Sequence, residues 1–112
     1  MVNEFRSSEK AQDVFFDETL YRSAVKAVDY MISGTFNHRP GTFDSLNGYK
    51  NLAENIYKGN YPISKSAQSA FDGFKKSELH RINMENKVFN RIGIAYKVYK
   101  GTQYWAQVYG AK

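Results

Sequence analysis

The sequence predicts an α+β fold in which helices cover an antiparallel sheet, and three observations predict it. Two segments before residue 77 carry apolar residues at the three- and four-residue spacing of amphipathic helices. Two segments after residue 87 alternate apolar and polar residues, which is the spacing of half-buried strands. Lys100-Gly101 separates these two segments as the tight turn of a hairpin. Helices that precede and cover a hairpin-rich sheet give a layered α+β arrangement.

Bulk composition predicts a single domain over residues 1–112 with one modest core. The hydrophobic fraction of 42% is that of a globular protein. The chain has no cysteine, which excludes disulfide scaffolds, thiolate metal sites and cysteine nucleophiles. No apolar run is long enough for a membrane span, so we do not expect a membrane-spanning protein. No signal peptide is visible, because the first twenty residues are studded with charge, and Met1 is compatible with a start that replaced a leader.

The net charge is +5, from 16 Lys and Arg residues against 11 Asp and Glu residues. A basic surface can hold nucleic acid, an anionic wall polymer or anionic lipid. The cations are spread along the chain without a dense run, so we expect no specific nucleic-acid binding.

The N-terminal third is predicted to be helical. Residues 2–11 are expected to form a short helix and residues 13–16 an extended segment. Asp17 is a good N-cap for a long helix over residues 17–33, and Gly34 fits its C-terminal stop. The apolar stripe of this helix consists of Leu20, Tyr21, Ala24, Val25, Val28, Met31 and Ile32.

The middle of the chain is predicted to alternate loops with short elements. These are a loop over residues 35–41, a one- or two-turn helix that Thr42 caps and that runs through Leu46 and Tyr49, a strand over residues 52–57 and a loop over residues 59–62. The first loop carries His38, and the strand carries Glu54 within an apolar frame.

A second amphipathic helix is predicted to begin at an N-cap on Ser64 and to end near Lys76. A polar turn that carries His80 follows, and strands over residues 88–100 and 102–109 complete the chain. The helix stripe and one strand face have matching apolar periods, so one is expected to bury the other. The predicted common core consists of Phe71, Phe74, Ile92, Ile94 and Val98.

Glu54 is the most informative polar residue, because a buried carboxylate costs several kcal/mol unless a cation or hydrogen-bond donors meet it. It is either a structural acid that accepts hydrogen bonds from backbone N–H groups or a cleft residue beside a histidine. We predict that Glu54 lies within hydrogen-bond distance of a histidine. His38, His80 and Glu78 could join it in a set of two histidines and two carboxylates, although no local metal-ligand spacing is present. Ser77 lacks the surrounding pattern of a serine hydrolase.

Six separate segments carry a known pattern in the right order. They are N-x-x-R at residues 3–6, F-D-E-T-L-Y at 16–21, the loop histidine His38, A-E-N-I at 53–56, F-x-x-S-x-x-H-R-x-N at 74–83 and Y-W-A-Q-V-Y-G at 104–110. Together they resemble the bacterial branch of the CAP superfamily, which comprises cysteine-rich secretory proteins, antigen 5 and pathogenesis-related proteins. The resemblance implies a three-layer α-β-α sandwich with a central antiparallel sheet, in a protein that is secreted or attached to the cell surface.

The chain departs from the tetrad of two histidines and two acids that eukaryotic members carry. Ser77 stands at the position of their second acid, and Tyr104 stands at the position of their strand histidine. The resemblance therefore implies a different ligand-binding cleft, formed by His38, Glu54, Glu78, His80 and Tyr104. Its candidate metal ligands are His38, Glu54 and His80.

By resemblance, the expected function is that of a bacterial binding module whose ligand is a lipid, a wall component, a protein or a metal ion. No cofactor is expected to be required, and any zinc binding is expected to be weak. The alternative is a metal-assisted hydrolase that uses the cluster of His38, Glu54 and His80, with Glu54 as general base.

Overall fold

The computed structural model of the protein describes residues 2–44, 46–60 and 67–112 in full and residues 63–66 by their backbone. Its elements are α1 (Val2–Ser8), β1 (Phe15–Phe16), α2 (Glu18–Ile32), β2 (Asn51–Gly59), α3 (Ile63–Lys76), α4 (Glu78–Glu85), β3 (Arg91–Tyr99) and β4 (Thr102–Ala111). The described strands form one sheet in the order β1-β3-β4-β2, in which only the short pairing of β1 with β3 is parallel. The predicted α+β class is confirmed. No helix of the described part is long and apolar enough to cross a membrane.

Helix α2 covers one face of the sheet, and its bounds confirm the helix predicted over residues 17–33. Asp17 caps it, because its carboxylate accepts the backbone N–H of Leu20 at 3.0 Å. Gly93 of β3 lies directly beneath the helix, and a Cβ at this position would collide with the backbone of Leu20 and Tyr21. The absence of a side chain at Gly93 therefore allows α2 to lie directly on the sheet.

The other helices form the second layer and a second core. Phe74 is 1% exposed in this core, together with Ile92, and Phe71 packs against them. Ile94 and Val98 are 37% and 44% exposed, so their assignment to the core is wrong. The physical reason is the position of α3, whose main partner among the strands is β2, on the opposite side of β4 from β3.

Arg6 joins α1 to the segment between α4 and β3. Its guanidinium is fully buried and donates to four backbone carbonyls. The acceptors are Gln12 at 2.7 Å, Met84 at 2.8 Å, Asn86 at 3.0 Å and Phe89 at 2.9 Å. Burial lowers the pKa of Arg6 below its ordinary value, and the four carbonyl dipoles are what compensate its desolvated charge.

The predicted polar turn around His80 is wrong, because these residues form helix α4. Ser77 has extended backbone angles, with φ −86° and ψ 120°, between two helical segments. Its N–H bonds to the carbonyl of Gly73, and its own carbonyl accepts from Arg81. Ser77 alone therefore separates α3 from α4. The polar residues after it are as common in loops as in exposed helices, so the sequence does not reveal the second helix.

Two other expected helical segments also differ. The N-terminal helix stops at Ser8 rather than at residue 11, because Lys10 takes a left-handed φ of 60°. Residues 40–44 form turns rather than the start of a short helix capped by Thr42. Ser45 of that segment, Tyr61 and Pro62 of the predicted loop, the Ser64 side chain and Met1 lie outside the described residues.

The hairpin at Lys100-Gly101 is confirmed. Both residues have positive φ, 50° and 79°, and Tyr99 pairs with Thr102 on either side of them. This is the two-residue turn whose twist matches that of the strands it joins.

Candidate functional site

The candidate site is organised by Glu54, a buried carboxylate near the middle of β2. Its side chain is 2% exposed. Oε1 lies 2.7 Å from Nδ1 of His38, and Oε2 accepts the hydroxyl of Thr42 at 3.0 Å. The predicted contact between Glu54 and a histidine is confirmed. Each carboxylate oxygen has a donor, which is what allows the group to lie below the surface.

His38 is the accessible member of this pair, with half of its side chain exposed. A carboxylate oxygen only accepts hydrogen bonds, so Nδ1 of the imidazole carries the hydrogen in the bond to Glu54. The neutral ring then presents Nε2 as an acceptor, and the protonated ring presents Nε2–H as a donor. Glu54 therefore orients the ring through one nitrogen and leaves the other available to a ligand.

His80 reaches the same region from the other face of the sheet. Asn55 follows Glu54 on β2, so its side chain points to the opposite face. The Asn55 amide donates to the carbonyl of His80 at 3.1 Å and to the side chain of Gln107 at 3.1 Å. The side-chain amide of Asn83 donates to the side-chain oxygen Oδ1 of Asn55 at 2.9 Å. These bonds attach α4 to β2 beside Glu54 and thereby place His80 at the outer strand.

The environment of His80 favours its neutral form. Its ring packs edge-on against Phe74, with 5.3 Å between ring centroids. Burial lowers the pKa of His80, and the charge of His38 lowers it further. β2 is the strand that both histidine segments contact, His38 through Glu54 and the backbone of His80 through Asn55. We call His38, Glu54 and His80 the histidine cleft.

The other two predicted cleft residues lie apart from this group. Glu78 is exposed at the start of α4, and no hydrogen bond or ion pair joins it to the cleft in the described part of the chain. Tyr104 pairs with Lys58, whereas Glu54 pairs with Val108, so Tyr104 is the second same-face pair along the ladder from Glu54. Tyr104 packs instead against the core beneath α2.

The cleft does not present a ready set of three metal ligands. Among the described residues, no group of three or more His, Asp or Glu side chains is arranged to hold a metal ion. Glu54 already uses Oε1 on His38 and Oε2 on Thr42, so its role in this geometry is to orient an imidazole. Two imidazoles remain as donors, which is fewer than the three protein ligands of an open zinc site.

Sequence reasoning misses the role of Thr42 and the amide network of Asn55. The sequence pattern indicates a helix cap at Thr42, whereas its hydroxyl binds the buried carboxylate. A signal for Asn55 is present: two adjacent polar residues, Glu54 and Asn55, point to opposite faces of a strand that is buried on both sides. Each therefore requires polar partners of its own.

Comparison with known proteins gives a consistent result. The family model described as "CAP: Cysteine-rich secretory protein family" matches residues 1–109. The uncharacterised protein YkwD of Bacillus subtilis is 31% identical over 105 residues, which make up 86% of this chain and 39% of YkwD. The chain thus spans well under half of that relative.

Solved structures share the fold at lower identity. An outer surface protein of Borrelia burgdorferi matches with a TM-score of 0.79 and 14% identity, covering 99% of this chain and 86% of that one. An extracellular protein of Bacillus anthracis that contains an SCP domain matches with a TM-score of 0.74 and 21% identity, covering 99% of this chain and 38% of that one. These likenesses bear out the α-β-α sandwich.

Proposed function

Because this chain belongs to the cysteine-rich secretory protein (CAP) family, we propose that it is a secreted or surface-attached binding domain of bacterial type whose ligand contacts the imidazole of His38. The observation that carries the proposal is the pairing of a buried carboxylate with a half-exposed imidazole at 2.7 Å. Such a pair holds one ring nitrogen in place and offers the other to solvent. The Bacillus anthracis protein that shares this fold is extracellular, which supports the location.

The chemistry of the cleft favours a ligand with a hydroxyl, carboxylate or phosphate group. A hydroxyl can donate to Nε2 of the neutral His38 ring, and an anion can accept from the protonated ring. The net charge of +5 favours an anionic ligand over a cationic one. Lipid headgroups and bacterial wall polymers both carry such groups.

A binding role is better supported than a metal-assisted hydrolase. That alternative requires Glu54 as a general base within reach of a metal-bound water. Both of its oxygens are instead engaged by His38 and Thr42, and the described residues supply no third ligand beside the two imidazoles. Hydrolysis stays the second hypothesis, and it predicts metal-dependent turnover that a binding domain lacks.

The experiment is a titration of the ¹⁵N-labelled protein, followed through the side-chain NMR signals of its two histidines. The probes are a soluble peptidoglycan fragment, sodium dodecanoate and zinc chloride. We expect at least one organic probe to shift the His38 signals saturably, and Glu54→Gln to weaken that binding because the ring loses its fixed orientation. A matched control is Glu18→Gln, which removes an exposed carboxylate that pairs with Arg22.

Zinc serves as the metal arm of the same titration. With two imidazoles as donors, we expect a dissociation constant of roughly micromolar or weaker. Affinity should fall as the pH is lowered, because a protonated imidazole cannot bind metal, and the lowered pKa of His80 moves its own protonation to lower pH. Zinc binding that survives both His38→Ala and His80→Ala would place the metal elsewhere. Organic probes that bind without moving either histidine signal would overturn the proposed site.

A further inference from the structure

Over most of its length, the outer edge of β3 pairs with no strand of the described residues. β1 pairs only with Arg91 and Ile92, and no other strand of the described residues lies on that side of β3. The N–H of Phe15 bonds to the carbonyl of Asn90, and the N–H of Asp17 bonds to the carbonyl of Ile92. Backbone groups alternate sides along a strand, so those of Ile94, Tyr96 and Val98 point to the same outer edge.

The hairpin independently supports this assignment. In a two-residue hairpin the residues that flank the turn form a hydrogen-bonded pair, here Tyr99 and Thr102. Alternation then directs the backbone groups of Lys97 and Ala95 toward β4 and those of Val98 and Tyr96 away from it. Three N–H donors and three carbonyl acceptors are therefore presented in a row, and no hydrogen bond within the described residues satisfies them.

An apolar cavity of about 310 Å³ opens beside this edge. Its walls are formed by one face of β3 and β4 and by residues of α1 and α3, including Ile94, Trp105, Phe71 and Ala67. Ile94 and Val98 stand on that face and are substantially exposed. A strand placed against β3 would direct every second side chain to this face, where the nearest one would meet Ile94 and the cavity.

We propose that the outer edge of β3 binds an extended peptide segment of a partner protein, which adds a strand along Ile94–Val98 and inserts an apolar side chain into the adjoining cavity. Backbone hydrogen bonds to the strand edge supply affinity, and the pocket for an alternate side chain supplies specificity. This surface is separate from the histidine cleft, because β3 and β2 lie on opposite sides of β4.

The charge of this edge favours an acidic peptide over a second copy of the chain. β1 pairs with β3 at Arg91 and Ile92, so a strand added along Ile94–Val98 extends a ladder that β1 has started. β3 and its turn carry no acidic residue, and Arg91 and Lys100 place a cation at either end of the segment Ile94–Val98. The third cation, Lys97, is paired with Asp29 of α2 and adds little to this charge. Self-pairing would bring two such strands together in molecules of net charge +5, whereas an acidic segment would be attracted.

The test uses a fluorescein-labelled synthetic peptide that alternates Thr with Val around a central Phe and carries Glu at both ends. Binding is measured by fluorescence anisotropy, and the contact is located by amide NMR shifts. We expect the shifts at Ile94, Tyr96 and Val98, and at least about tenfold weaker binding when Ala replaces the central Phe, because a buried Phe side chain is lost. N-methylation of the alternate peptide amides that face β3 should abolish binding, and N-methylation of the other amides should preserve it.

Two protein variants separate the edge from the cavity. Val98→Pro removes an N–H that points to the free edge and leaves the ladder with β4 intact, so it should weaken binding about tenfold. Val98→Thr keeps both the N–H and the β-branched shape and is its matched control. Ala67→Phe places a ring in the cavity from α3 and should abolish the preference for Phe over Ala in the peptide.

Three results would overturn the proposal. The first is that the peptide does not bind saturably, or that it binds without shifting the amide signals of β3. The second is a concentration-dependent dimer in sedimentation that Val98→Pro disrupts, which would make a second copy the occupant. The third is that sodium dodecanoate shifts the NMR signals of the cavity residues whereas none of the peptides does. The cavity would then be a site for an acyl chain alone.

Discussion

Replacement of Arg6 by alanine is expected to lower the free energy of unfolding by about 3–5 kcal/mol, which is the cost of removing one partner from a buried charged network. The guanidinium is fully buried and supplies the donors for four backbone carbonyls. The truncation removes a donor from each of these acceptors, although Asn86 keeps its bond from the N–H of Phe89, and it opens a cavity between α1 and the segment after α4. Urea unfolding followed by far-UV circular dichroism measures the change.

Arg22→Ala is the matched control for this variant. Arg22 and its partner Glu18 are 70% and 67% exposed, so the pair should contribute less than about 0.5 kcal/mol. Arg6→Lys should fall between the two, because an ammonium offers three donors and cannot reproduce the planar fork of the guanidinium. A loss for Arg6→Ala no larger than that for Arg22→Ala would show that the buried network does not stabilise the fold.

Replacement of Phe74 by alanine is expected to cost about 3–5 kcal/mol, the range for removal of a fully buried phenylalanine. Phe74 is 1% exposed and packs edge-on against Tyr57 and His80, at 5.8 and 5.3 Å between ring centroids. Its loss removes a ring that packs against both β2 and α4. The free energy of unfolding from a denaturant melt is the quantity to compare.

Phe16→Ala provides the control, because the ring of Phe16 is 70% exposed and contacts Tyr21 at the surface. Its effect should stay within about 0.5 kcal/mol. A loss well under 1 kcal/mol for Phe74→Ala would mean that α3 and the sheet do not share a core.

Local signals predict most of the fold. The stripe of α2, its cap on Asp17 and the Lys100-Gly101 turn each depend on residues near one another in sequence, and all three are present. Ile94 and Val98 show the limit of such signals. Their alternation correctly identifies a strand face, but whether a helix covers that face depends on where α3 packs, which no local pattern encodes.

The candidate site shows the same division between local and distant information. The burial cost of a carboxylate in an apolar strand predicts that Glu54 has hydrogen-bond donors, and it leaves backbone N–H groups and a histidine as the two candidates. Burial cost does not identify Thr42 as the second donor. Thr42 lies twelve residues from Glu54, and its local sequence is equally consistent with a helix cap. Resemblance alone assigns Tyr104 to the cleft, whereas the strand register carries it two same-face pairs from Glu54.

The most direct test of the proposed site is the tautomer of His38, measured from its ring ¹⁵N shifts at about pH 8.5, where imidazoles are neutral. Glu54 accepts a hydrogen bond from Nδ1, so the wild-type ring should be protonated at Nδ1 and carry its lone pair on Nε2, opposite to the usual solution preference. Glu54→Leu should restore the Nε2-protonated form. A wild-type His38 that already shows the Nε2-protonated form, unchanged in Glu54→Leu, would contradict the claim that the buried carboxylate orients this imidazole for a ligand.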